Sequence, residues 1–151
     1  MTLQLVQEPS DSAYSVEFAM VPIEDIPDLW NRCSEFLDPA FDFTAKLDNE
    51  DARELCLLGE AQLWVIWSND LGQFLGSAIT EMTIYTNEYK VLTFLAFGGS
   101  DALNWTRRFV DVIEQFGRAE GCDAVEMIGR KGWGKVFPDY EPTSWSYTKE
   151  L

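Results

Sequence analysis

The chain contains no histidine, and its 151 residues include only three cysteines and eleven basic side chains. Without histidine, a Ser-His or Cys-His nucleophile and most zinc sites are excluded. Cys33, Cys56 and Cys122 are odd in number and widely separated, a pattern that fits reduced, buried thiols better than a disulfide framework or a metal site. No apolar run approaches the roughly 20 residues of a membrane helix. The N-terminal MTLQLVQEPSDSAYS has neither a basic n-region nor an apolar h-region, so no signal peptide is read. Repeats, low-complexity tracts and internal linkers are also missing. The expectation is one domain over 1–151, with a polar lead-in at 1–13 that packs loosely.

What the chain has in plenty is acidic and aromatic side chains. Asp plus Glu number 26 against 11 Lys plus Arg, a net charge of -15, and there are six tryptophans in a chain that is 46% apolar. The charge is uneven. Residues 1–60 hold 14 acidic side chains against Arg32, Lys46 and Arg53, a balance of -11 that leaves -4 for the rest. Direct binding to nucleic acid or anionic lipid is disfavoured by such a balance, while a basic protein partner would be attracted at low salt. The same charge also serves a solvated, solubilising surface.

Periodicity divides the chain into elements. Tyr14 to Val21 alternates as a first strand stopped by Pro22. Ile26, Leu29, Trp30, Cys33, Phe36 and Leu37 recur at three and four residues, which predicts a helix ended by Pro39. A second helix is predicted over Asp48 to Leu58, capped by Asp48 and closed by Gly59. Three strands follow on short turns and predict an antiparallel meander. The last of them, Val91 to Phe97, runs into Gly98-Gly99-Ser100-Asp101 and then into an amphipathic stretch carrying Ala102, Trp105, Phe109, Val112, Ile113 and Phe116. Strand, glycine turn, helix and the next apolar run at Ala124 to Ile128 make a β-α-β unit with a parallel strand pair. Its turn lies at the carboxyl end of a strand and the positive end of a helix, where open sheets bind ligands. A short helix around Trp133 to Phe137 and a final strand from about Thr143 to Lys149 complete the order. Six of the basic residues (Arg107, Arg108, Arg118, Arg130, Lys131 and Lys135) fall between 107 and 135.

That order of elements, together with FGGSDALNW, QFGRAEGC and GRKGWGKVFPDY, resembles the GNAT-type N-acyltransferase superfamily, and within it small GNAT-like proteins of tailed bacteriophages. The resemblance implies an α/β fold with one mixed sheet of about six strands and helices on both faces. It implies acetyl-CoA as cofactor, held at Phe97, Gly98, Gly99 and Ser100 with Trp105 beside them, although the basic first residue and the Gly-x-Gly spacing of the family loop are missing and Asp101 has the wrong sign for a phosphate. The same residues serve equally as a turn and a helix cap, and Trp105 as core. Amine acylation needs a base and an acid; the resemblance points to Glu81 as base, with Asp70 behind it, and to Tyr140 as the phenol nearest the acid's place. Two functions follow as expectations: an acyl-CoA-dependent N-acetyltransferase, or a non-catalytic protein of this fold that is a virion component or binds a host or phage protein. The expected location is the host cytoplasm or the virion.

Overall fold

A computed structural model of the chain describes residues 4–7, 14–42, 46–128, 133–144 and 146–151. One mixed sheet of six strands carries them, in the spatial order of the sequence. Strands β1 (Gln4–Gln7), β2 (Glu17–Met20), β3 (Gln62–Ser68), β4 (Gln73–Ile84) and β5 (Lys90–Gly99) pair antiparallel, each with the next. Only β6 (Ala124–Met127) lies parallel, against β5, after a crossover through α3 (Thr106–Ala119). Helices α1 (Ile26–Phe41) and α2 (Asn49–Leu57) precede β3, and the single turn α4 (Trp133–Val136) follows β6. The α/β class, the meander, the crossover and the one parallel pair are as the periodicity predicts.

Two cores, one on each face, hold the helices to the sheet. Phe18, Trp64, Ile66, Ala78, Leu92 and Phe94 meet Trp105, Phe109, Ile113 and Phe116 on one face. Ala19, Leu63, Val65, Ile79 and Ala96 meet Ile26, Trp30, Cys33, Leu37, Ala52 and Cys56 on the other. Strand alternation explains the division, because successive side chains point to opposite faces. β5 breaks the alternation once: Phe94 faces α3 and Ala96 faces α1, two residues apart. The register shows why, since Thr80 pairs with Phe94 and Ile79 with Ala96, leaving Leu95 as an extra, bulged residue.

Four sequence expectations are corrected. The lead-in contains β1, whose residues pair Gln4↔Met20 through Gln7↔Glu17; a four-residue edge strand is too short to show a period. Pro39 lies inside α1, which continues to Phe41 and closes with the Asp42 amide on Asp38 O at 3.1 Å. Proline so near a helix end loses only one intrahelical bond, and burial of Leu37 and Phe41 holds the last turn. Gly98 and Gly99 are the final residues of β5, paired with Ser77 and Gly76, not a turn. The described residues of the expected last strand, 143–144 and 146–149, form no strand. The sixth strand therefore comes from the front of the chain.

Candidate functional site

β5 and β6 are paired over only four residues, from Val91↔Ala124 to Phe94↔Met127. β6 ends there, while β5 bulges at Leu95 and continues to Gly99. Five residues of β5, Leu95 to Gly99, thus present an edge with no strand on the β6 side among the described residues. At the far end of that edge come Ser100, Asp101, a single turn of 3-10 helix over Ala102–Asn104, and α3. An open strand edge leads into the positive end of a helix.

The two glycines at this end serve packing. A Cβ on Gly98 would stand 2.0 Å from the Phe36 carbonyl oxygen of α1. On Gly99 it would stand 2.5 Å from Trp105 Cζ2 and 2.7 Å from Leu75 O, and its cross-strand partner Gly76 meets the same indole at 2.8 Å. One glycine lets α1 approach the sheet and the other admits Trp105. Trp105 itself is 1% exposed and donates its indole N–H to Ser100 O at 2.9 Å. Phe97 stacks on Phe109 at 5.8 Å between centroids. Ser100 spends its amide on Leu75 O at 2.8 Å, with its hydroxyl 3.4 Å from the same oxygen. Close backbone approach is therefore required here, but by the protein's own atoms.

Asp101 adopts a left-handed conformation, φ 55°, and its carboxylate accepts a hydrogen bond from the Tyr14 hydroxyl. That bond, with a second from Asn104, lowers the Asp101 pKa, so the carboxylate stays charged. Tyr14 is pushed up, first by the same bond. Arg107 and Arg108 stand in the first turn of α3, where cations oppose the helix dipole. Each donates to a carbonyl, Arg107 to Val136 O at 2.7 Å and Arg108 to Asn104 O at 2.8 Å. Their place at the head of α3 was not among the sequence-level site residues; two adjacent arginines at a helix start were the available signal.

Glu81 and Tyr140 are not brought together. Along β4, Ile79 belongs to the α1–α2 face and Thr80, which accepts from the Trp64 indole at 2.9 Å, to the α3 face. Alternation then puts Glu81 on the α1–α2 face. It is half-buried and opposite Thr93, just before the strands part. Tyr140 packs on the α3 face, 5.8 Å from Phe137, and donates its hydroxyl to Glu114 Oε2 at 2.8 Å. Burial first, and then Glu114, hold its pKa well above the ordinary tyrosine value. Asp70 sits in the β3–β4 turn and accepts from the Ser15 amide at 2.8 Å. The thiols of Cys33 and Cys56 are buried and raised to about 11 and about 12 by desolvation, as suits inert core residues. Arg130, Lys131, Gly132 and Trp145, with the side chain of Trp133, lie outside the described residues.

No family model matches the chain, and no curated protein matches it in sequence. Solved structures do match it in shape. The aminoglycoside acetyltransferase meta-AAC0020 from an uncultured soil metagenomic sample, in complex with trehalose, superposes with a TM-score of 0.66 at 14% identity, over 90% of this chain and 96% of that one. A GNAT family acetyltransferase of Staphylococcus aureus gives 0.61 at 14%, over 90% and 98%. The chain has the GNAT acetyltransferase fold. Glucosamine-6-phosphate N-acetyltransferase from Arabidopsis thaliana agrees, with a TM-score of 0.60 at 14% identity over 90% and 98%. The opening between β5 and β6, beside the head of α3, is the candidate site. No helix among the described residues is long and apolar enough to cross a membrane.

Proposed function

We propose that the protein is an N-acetyltransferase that uses acetyl-CoA and acts on an amine. The observation that carries this reading is the parting of β5 from β6 after the Phe94–Met127 pair, with an open edge leading to the head of α3. A bare strand edge offers amides and carbonyls to an extended, amide-bearing chain, which is what the arm of acetyl-CoA is. The first-turn amides of α3, with Arg107 and Arg108 beside them, favour phosphate groups. Asp101 is a contrary charge there, and the Tyr14 hydroxyl shares it. Gly98, Gly99 and Ser100 support the site by holding β5 against α1 and Trp105, while Leu95 to Gly99 supply the edge.

Bound acetyl-CoA supplies an activated acetyl thioester. Glu81 is the base in this reading: its carboxylate takes the proton released as the amine nitrogen bonds to the acetyl carbon, directly or through one water. The Tyr140 hydroxyl donates its proton to a hydrogen bond with Glu114, so a thiolate leaving from acetyl-CoA would take its proton from solvent. The commitment of Gly98 to Phe36, of Gly99 to Trp105 and of the Ser100 amide to Leu75 favours a second reading. That reading is a non-catalytic protein of this fold, of phage origin, acting through a protein partner.

Thermal unfolding with acetyl-CoA separates the two. Ligand at 100 times its dissociation constant should add about 2.7 kcal/mol, a rise of roughly 2–4 °C per kcal/mol at this size. Leu103 is 92% exposed on the turn before α3, so a charge can be introduced there without touching the core. Leu103→Lys should tighten acetyl-CoA and Leu103→Glu weaken it, each by about threefold at low salt. No rise in wild type would retire the acetyltransferase; a rise that both variants leave unchanged would move the phosphates away from α3.

A further inference from the structure

A second concavity lies away from the strand opening. It is a cleft of about 580 Å³ between α1 and the β3–β4 end of the sheet, within the size range of ligand sites. Leu29 and Phe36 of α1 form one apolar wall, and Trp67 and Phe74 at the ends of β3 and β4 form the other. Phe74 precedes Ile79, opposite the bulge, by five residues of strand, about 16 Å. Among the described residues, none of β5, β6 or α3 lines the cleft, which distinguishes it from the strand opening even though Phe36 touches both.

Its charged lining is unusual for an apolar hollow. Asp25, the residue just before α1, and Glu35 within α1 line the same side of the cleft, ten residues and so about 15 Å apart along the helix direction. Between them Arg32, one of three cations in the first 60 residues, lays its guanidinium over the Phe74 ring, 5.2 Å from the centroid. The protein thus already uses this ring face to hold a guanidinium. Flat stacking on an aromatic ring with the charge left paired at its edge is the chemistry of arginine rather than lysine.

We infer that the cleft docks a basic, arginine-bearing segment of a partner protein, with Arg32 occupying the place on Phe74 that a partner arginine takes over. The inference does not depend on acetyl transfer. Charge complementarity selects the occupant: residues 1–60 carry -11, a field that draws in a polycation, repels acidic chains and gives a neutral chain no such attraction. The spacing of Asp25 and Glu35 selects a segment over a free small cation, since a segment pairs with both carboxylates while filling the hollow between.

The probe is a fluorescein-labelled peptide, Gly-Arg-Gly-Arg-Leu-Arg-Gly-Arg-Gly, titrated with the full chain by anisotropy. Binding should weaken about tenfold or more between 50 and 200 mM salt, and Lys or Glu in place of Arg should weaken or abolish it. Arg32→Ala should tighten binding several-fold by vacating Phe74. Arg53→Ala, which makes the same charge change on the exposed side of α2, should have less effect. Glu35→Gln and Phe74→Ala should both loosen it, Glu35 being exposed and thus safe for folding. Absence of binding, equal effects of Arg32→Ala and Arg53→Ala, or indifference to Glu35→Gln would overturn the docking site. Full competition by free argininamide at the peptide's own concentration would also overturn it, by showing a small-cation site instead.

Discussion

On its α3 side the sheet is covered by interlocked rings, whereas on its α1–α2 side aliphatic side chains, several alanines and two thiols dominate, with Trp30 and Phe41 the buried aromatic residues among them. Phe109 is the hub of the ring side, with Phe18, Trp64, Phe94, Phe97 and Trp105 between 5.5 and 6.4 Å of its centroid. The opposite side packs Ala19, Cys33, Ala52, Cys56, Ala61 and Ala96. Large rings set a helix away from the sheet and fill the gap with specific edge-to-face contacts. Small side chains let a helix descend until backbone meets backbone, and at Gly98 the Phe36 carbonyl reaches that limit. The lesson is that each face assigns its own meaning to one of two adjacent glycines. The face with less side-chain volume is also the one that keeps a cleft.

Four substitutions test that contrast. The largest effect is expected from Trp105→Ala, which removes a fully buried ring and should cost about 3–5 kcal/mol in urea unfolding. A loss below about 1 kcal/mol would mean the ring cluster does not carry the α3 face. Next, Gly98→Ala drives a Cβ into a main-chain oxygen, and should cost at least about 1–3 kcal/mol. It should exceed Gly99→Ala, where the contact is longer and partly with a side chain; the reverse order would place the tighter approach on the α3 side. The smallest is Tyr140→Phe at the rim of the ring cluster, worth about 1 kcal/mol for one hydrogen bond.

Tyr140 also gives that variant a pH signature. Its folded pKa is raised above the ordinary tyrosine value, so its stabilising contribution is fully present below about pH 10 and is lost as pH rises further. Wild type and Tyr140→Phe should therefore converge in stability on the alkaline side, as read by unfolding from pH 7 to 11. A gap that stays constant across that range would mean that Tyr140 ionises alike in the folded and unfolded chain. Activity measured in the same variant would show whether the hydroxyl also has a chemical role.

The elements were legible in the sequence where a period ran long enough to count. The stripes of α1 and α3 and the Asp48 cap, which accepts from the Asp51 amide at 2.9 Å, follow from helical spacing and end chemistry alone. Short or punctuated segments were not. Gln4–Gln7 is too brief for alternation, and Gly98-Gly99 reads as a turn because glycine is the common turn residue, although a strand takes it where neighbours press close. The candidate site was legible as a region and not as a set of atoms. The strand-to-helix junction at 97–105 was marked, but the free edge depends on where β6 stops pairing, and no local pattern encodes that.

By itself the sequence determined the class of protein: a histidine-free, acidic α/β chain with a meander, a crossover helix and one parallel strand pair. Those properties rest on composition and on local periodicity, which every residue expresses within a few neighbours. Only the tertiary structure decided which atoms meet which. It set Glu81 and Tyr140 on opposite faces, tied Tyr14 to Asp101 across 87 residues, and laid Arg32 on Phe74. Such contacts depend on register and on helix height above the sheet, and a single bulged residue at Leu95 shifts which side of β5 faces which core.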